Sequence, residues 1–186
     1  MDQEFLISLG SNLGSHAGNP ATTLSLALKE LSENGININA VSRLYSTTCF
    51  PAGAGPDYVN AAAVITTSMP PDRILIRLHD VEYAFGRERK QRWGMRSLDL
   101  DLLAQGQTVL PDQDLHAHWR RLDPESQRQS APEQLILPHP RIQDRAFVLV
   151  PLCDVAADWR HPILQTTVAE MCAALPQSDL DGVVPL

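Results

Sequence analysis

The chain has 186 residues, 44% of them hydrophobic, which is enough for one ordinary domain with its own core. A formal net charge of -7 disfavours a polyanion lying across the surface, so nucleic-acid binding is not expected. Three cysteines without metal-type spacing, an acidic start unlike a signal peptide, and no apolar run of spanning length describe a soluble cytoplasmic protein with reduced thiols.

Residues 5–9 read as a first strand and end in Gly10-Ser11-Asn12, a turn triplet that lets backbone come close to a ligand or a neighbouring element. Asn19 then caps a helix with Pro20 at its first position, and Leu24, Leu28 and Leu31 keep helical spacing until Asn34-Gly35. Residues 36–48 read as a second strand, the Gly/Pro-rich CFPAGAGP as a loop, and residues 58–67 as a third strand. Pro70-Pro71-Asp72 opens a second helix whose apolar face carries Ile74, Leu75, Leu78, Val81 and Phe85, with Gly86 beyond its end. Glu82, in the last turn of that helix, opposes the helix dipole and calls for a positive partner.

A further strand carries Asp99 and Asp101, and Gly106-Gln107 reads as a hairpin turn into residues 108–110. Residues 111–133 are charged, with Gln and Pro, and read as a long insertion loop in which His116 and His118 are solvated rather than metal ligands. Residues 146–157 form a buried apolar segment, helix or turn-rich, interrupted by Pro151. Thr166 or Thr167 caps a short final helix. The order β-α-β-β-α-β is that of a ferredoxin-like α+β sandwich, an antiparallel sheet with helices on one face plus a C-terminal helical segment. The whole chain, residues 1–186, is read as a single domain.

In RWGMRSLDLDLL, Leu98, Leu100 and Leu102 share one face of the strand while Asp99 and Asp101 share the other. Two adjacent carboxylates read either as a solvated acidic edge or as an all-oxygen Mg²⁺ site completed by phosphates. The segment just before them favours the second. It holds Arg87, Arg89, Lys90, Arg92 and Arg96, five of the fifteen Lys and Arg residues within ten positions. Cations that meet phosphate oxygens beside a carboxylate-held metal are the layout of a triphosphate site. Nearby, Tyr58 and Asn60 share a face of the third strand, and LPHPRIQDRAF supplies His139, Arg141, Arg145 and Phe147. A planar aromatic ligand between Trp93 and Phe147, its edge read by Asn60, suits that company, although core packing also accounts for Phe147.

SLGSNLG, PDYVNAA, GRERKQRWGMRSLDLDLL and LPHPRIQDRAFVLVPL together make the chain resemble the hydroxymethyl-dihydropterin pyrophosphokinases of folate biosynthesis, along nearly its whole length. The resemblance implies an enzyme that transfers the β,γ-pyrophosphoryl group of ATP to the hydroxymethyl oxygen of a reduced pterin and releases AMP. It implies two Mg²⁺ ions on Asp99 and Asp101, with Arg87 and Arg96 as mobile-loop cations of catalysis. It also implies Arg89, His139 and Arg145 on phosphate, Glu82, Leu102, Gln134 and Ile136 around adenine and ribose, and Thr47, Tyr58, Asn60, Trp93 and Phe147 around the pterin. No protein nucleophile or general base is called for, because such a transfer needs mainly alignment and charge neutralisation.

Two features depart from the family pattern. Thr47-Thr48-Cys49 stands where a Thr-Pro-Pro turn is common, and the 111–133 segment exceeds the short connection of compact members. Partners are expected to be small molecules only, with no nucleic acid or membrane, for a monomeric protein. The competing readings are a ferredoxin-like protein that binds nucleotide or pterin without turnover and an RNA-binding α+β module. Replacing Asp99 or Asp101 by Ala is expected to abolish turnover and, by relieving a like-charge pair, to leave the unliganded fold largely intact.

Overall fold

The structure, a computed structural model, describes residues 2–49, 53, 55–87, 96–123, 125–126 and 130–186. Strand β1 (Gln3–Ser11) lies inside the sheet, next to its edge. It pairs antiparallel with β4 (Tyr58–Thr67) on one side and β5 (Asp99–Gln105) on the other. The sheet continues from β4 to β3 (Tyr45–Thr47) and β6 (Val183–Pro185), and β2 (Asn37–Val41) also pairs with β4. Alternation in β1 sends Phe5, Ile7 and Leu9 to one face, where they meet Ala61, Ala63, Ile65, Leu98, Leu100 and Leu102.

Helices α1 (Pro20–Glu33) and α2 (Pro71–Ala84) cover that face with Leu24, Ala27, Leu31, Ile74, Leu78 and Val81. Asn19 caps α1 through a bond from Thr22 N to its Oδ1 at 2.9 Å, as its sequence requires. On the opposite face, Leu6, Ala62, Val64, Leu103 and Ala104 are buried by α4 (Ala146–Ala156) and α5 (Val168–Ala173), through Val148, Leu149, Leu152, Val168 and Met171. The α+β sandwich expected from the sequence is therefore present, and its C-terminal helical segment forms a third layer. α4 runs unbroken through Pro151, and Thr167 closes a capping box with Glu170 at the start of α5.

Four sequence expectations need correction. The strand expected over residues 36–48 is split into β2 and β3 because Ser42 breaks it. Its hydroxyl accepts from Ala62 N at 2.9 Å and donates to Arg43 O at 2.7 Å, so a side chain takes a place in the ladder. Arg43 is then held by Asp154 of α4, which also accepts from Tyr45 Oη at 2.8 Å. The turn at Gly106 forms, but residues 108–110 do not return along β5. Leu110 instead exchanges two backbone bonds with Leu137, at 2.8 and 3.1 Å.

Within the segment expected to be a loop lies helix α3 (Gln113–Arg121), capped by Asp112 and ending in His118, Arg120 and Arg121, which suit its dipole. His116 is correspondingly buried rather than solvated. No aliphatic stripe marks this helix, because the buried side chain of α3 is a histidine. A last helix, α6 (Gln177–Asp181), leads into β6, which is too short to be read from alternation.

Candidate active site

Gly10 stands in register between Asp99 on β5 and Asn60 on β4, and Ser8 stands in register with Asp101 and Ala62. Paired residues of antiparallel strands share a face, so Asp99, Asp101, Asn60 and Tyr58 look out together, beyond the part of that face covered by α4. Gly10 keeps this row open. A Cβ there would lie 3.1 Å from Asn60 Oδ1 and 4.0 Å from Asp99 Cβ.

Arg87, just past α2, places Nη1 2.6 Å from Asp99 Oδ1 and pairs with Glu82 through the same nitrogen. Arg96 pairs with the other oxygen of Asp99, and Arg145 Nη1 lies 3.5 Å from Asp101 Oδ2. Three guanidiniums thus face three carboxylates. Glu82, 1% exposed, also accepts from Leu100 N at 2.7 Å, which lies on the outer edge of β5 between the two aspartates. The positive partner that its position on α2 demanded is Arg87, and a buried carboxylate so bonded is tolerated. Burial works against the charge of Arg96, but Asp99 and Asp101 more than offset it, and its pKa is raised.

The segment leading into α4 runs along β5, where His139 N donates to Leu103 O at 2.7 Å. His139 Nδ1 accepts from Arg141 N at 3.1 Å, so the ring proton sits on Nε2. Burial, together with Arg145 and Arg141, pushes its pKa down to about 3. His139 is therefore a neutral N–H donor, with positive charge beside it supplied by Arg145, whose guanidinium lies 5.7 Å over the exposed Phe147 ring.

On the other flank, Asn60 Nδ2 donates to Thr47 Oγ1 at 2.7 Å, and Tyr58 pairs with Thr47 in register. Burial raises the Tyr58 pKa. One buried side chain joins the two flanks. Asn12 Oδ1 accepts from Arg96 N at 2.8 Å, while its Nδ2 donates to Pro56 O at 3.2 Å. The sequence marked residues 10–12 as a turn and missed that the Asn12 amide ties two loops together; an Asn directly after a Gly-Ser turn was the available signal.

The structure brings Glu82, Arg87, Arg96, Asp99, Asp101, His139 and Arg145 together, with Thr47, Tyr58 and Asn60 alongside. It packs the Leu102 side chain into the core on the opposite face, 3% exposed, so only its backbone reaches the edge of β5. Ile136 is buried and Gln134 is exposed. Arg89 and Trp93 lie outside the described residues. Among the described residues, no three His, Cys, Asp or Glu side chains gather as a metal cluster.

Residues 6–157 match the family model described as 7,8-dihydro-6-hydroxymethylpterin-pyrophosphokinase (HPPK). The chain belongs to this family. A 2-amino-4-hydroxy-6-hydroxymethyldihydropteridine pyrophosphokinase of Synechocystis is 32% identical over 182 residues, 97% of this chain and 79% of that protein. One from Pseudomonas aeruginosa is 35% identical over 162 residues, 87% of this chain and 86% of that protein. The folic acid synthesis protein fol1 of Pneumocystis carinii is 30% identical over 96% of this chain, which spans only 21% of it.

Among solved structures, wild-type Plasmodium falciparum HPPK-DHPS superposes with a TM-score of 0.63 at 14% identity, over 93% of this chain and 44% of that one, and so shares the HPPK fold. In this HPPK-family chain, the described residues of the four sequence blocks that carried the resemblance fall at the end of β1, at the start of β4, at the end of α2 and in β5, and along the segment that enters α4.

Proposed function

We propose that this chain performs the reaction for which its family is named. It transfers the β,γ-diphosphoryl group of ATP to the hydroxymethyl oxygen of 6-hydroxymethyl-7,8-dihydropterin, giving the pterin diphosphate and AMP, a step of folate biosynthesis. One observation carries this reading: the cluster of three guanidiniums and three carboxylates stands one strand away from the Asn60–Thr47 amide–hydroxyl pair. A polyphosphate and a planar, amide-edged ligand are the two chemistries that these neighbours suit.

Asp99 and Asp101 offer only oxygen donors, side by side and half-buried, which fits Mg²⁺ held by carboxylates and phosphates. When bound, Mg²⁺ neutralises charge on the triphosphate, and two ions are expected. In that state the arginines exchange partners: Arg87, Arg96 and Arg145 leave the aspartates for phosphate oxygens, and His139 donates its Nε2–H. Arg89 completes the phosphate grip. Asn60, Thr47, Tyr58, Trp93 and Phe147 hold the pterin, while Gln134, Ile136 and the backbone of Leu102 border the adenosine. Glu82 keeps Arg87 and β5 in place from beneath. No residue needs to accept the hydroxyl proton in a step of its own, because alignment and charge neutralisation supply the rate.

The test is AMP formation by the purified chain, followed by chromatography. AMP is expected only when ATP, Mg²⁺ and the pterin are all present. Binding of both ligands without AMP would identify a non-catalytic binder instead.

A further inference from the structure

Among the described residues, the 111–133 insertion is fastened to the body at its base and along α3. Its base is closed by the paired Leu110 and Leu137. Higher up, α3 sends His116, fully buried, to Pro138, with Nε2 3.0 Å from the Pro138 carbonyl oxygen. A carbonyl only accepts, so this nitrogen carries the proton and donates.

The His116 ring packs edge-on against His161, centroids 5.7 Å apart, and His161 is itself fully buried and stacked edge-on against Trp159 at 5.8 Å. Both neighbours are anchored. His161 Nδ1 accepts from Ile163 N and Leu164 N at 3.2 Å each, and Trp159 Nε1 donates to Gly106 O at 2.8 Å. His116 therefore sits in a rigid socket built from the loop after α4 and the turn after β5. The carbonyl it grips belongs to the peptide that begins His139, whose own N–H is tied to Leu103 on β5.

We infer that His116 is a positioning residue for the nucleotide side of the site: it clasps the insertion to the Pro138–His139 peptide and so fixes the direction in which His139 presents its Nε2–H. This rests on the proposed function, in which His139 meets a phosphate. The insertion thereby becomes a buttress of the site, and the same bond gives α3 its place on the body. Burial and Arg120 on α3 favour the neutral ring at His116, against the opposing effect of its bond to the Pro138 carbonyl.

The experiment compares His116→Phe, which keeps a buried ring without the N–H, with His116→Gln, whose terminal amide nitrogen sits near the position of Nε2. Losing one buried hydrogen bond predicts about a tenfold higher KM for ATP in His116→Phe, with KM for the pterin unchanged, and recovery towards wild type in His116→Gln. Amide hydrogen exchange at His139 should accelerate in the Phe variant and not in the Gln variant.

Should the Phe variant not fold, His116→Asn takes its place. Its shorter amide does not reach Pro138, and the same split is expected against Gln. An unchanged KM for ATP, an equal rise for both substrates, or Gln behaving like the variant that lacks the bond would overturn the inference. A wild-type chain that forms no AMP would sink the proposed function instead. In that case the exchange rate at His139 alone decides the clasp, and equal rates in all variants refute it.

Discussion

Acidification from about pH 7.5 to about pH 5 should destabilise this fold well before its carboxylates titrate, because it keeps buried histidines neutral. His161 is fully buried, and burial, His116 and Arg120 lower its pKa to about 4. In the unfolded chain the ring takes up a proton near pH 6.5, while the folded protein does not until about pH 4. The contribution is therefore intact above pH 6.5 and is lost as pH falls towards the folded value.

At about pH 5 the gap spans roughly 1.5 pH units below the unfolded pKa, and at about 1.4 kcal/mol per unit the loss from His161 alone is about 2 kcal/mol. His116 and His139, also held neutral, push in the same direction. The assay is urea unfolding at a series of pH values, with stability taken from linear extrapolation. His161→Asn isolates the effect, since its Oδ1 can replace Nδ1 as acceptor for the N–H groups of Ile163 and Leu164 while removing the titrating ring. The variant should lose about 2 kcal/mol less than wild type across this interval. An identical pH dependence in the two proteins would refute the reasoning.

Other outcomes follow from single contacts. Glu82→Ala should cost about 1–3 kcal/mol in thermal or urea unfolding, since it leaves the buried Leu100 N–H without an acceptor while Arg87 keeps Asp99, and Glu82→Gln should cost less because it keeps an acceptor for Leu100. Gly10→Ala should lower turnover about tenfold or more through its 3.1 Å approach to Asn60 Oδ1, with KM rising for the pterin more than for ATP. Asp154→Ala should reduce stability by about 1–2 kcal/mol by releasing Arg43 and Tyr45, without a change in kcat. Asp99→Ala should abolish magnesium-dependent AMP formation and also lower the melting temperature of the unliganded protein. Relief of a like-charge pair had suggested no such loss, but Asp99 is held by Arg87 and Arg96, which its removal leaves facing each other.

That last reversal shows where the sequence stopped being readable. Strand periodicity placed Asp99 and Asp101 on one face and the leucines on the other, and helix signals at Asn19, Pro71 and Thr167 marked real starts. Cross-strand neighbours are not written in a local pattern. Nothing near position 87 in sequence says that its guanidinium will bridge Glu82 and Asp99, and nothing near Asn12 says that it will hold Arg96. The break at Ser42 and the helix at 113–121 escaped for a related reason: in each, a polar side chain does work that pattern reading assigns to backbone or to aliphatic residues.

The pairing of arginines with aspartates also bears on how ligands are admitted. Each aspartate already has a cation, so under the proposed function a bare metal ion would have to displace Arg96 or Arg145 from its carboxylate, and a bare triphosphate would have to draw the arginines away and leave the acids exposed to one another. Arriving together, metal and nucleotide satisfy both halves at once. Under the proposed function such a site would act as an ion exchanger, favouring the magnesium complex of the nucleotide over either component offered alone.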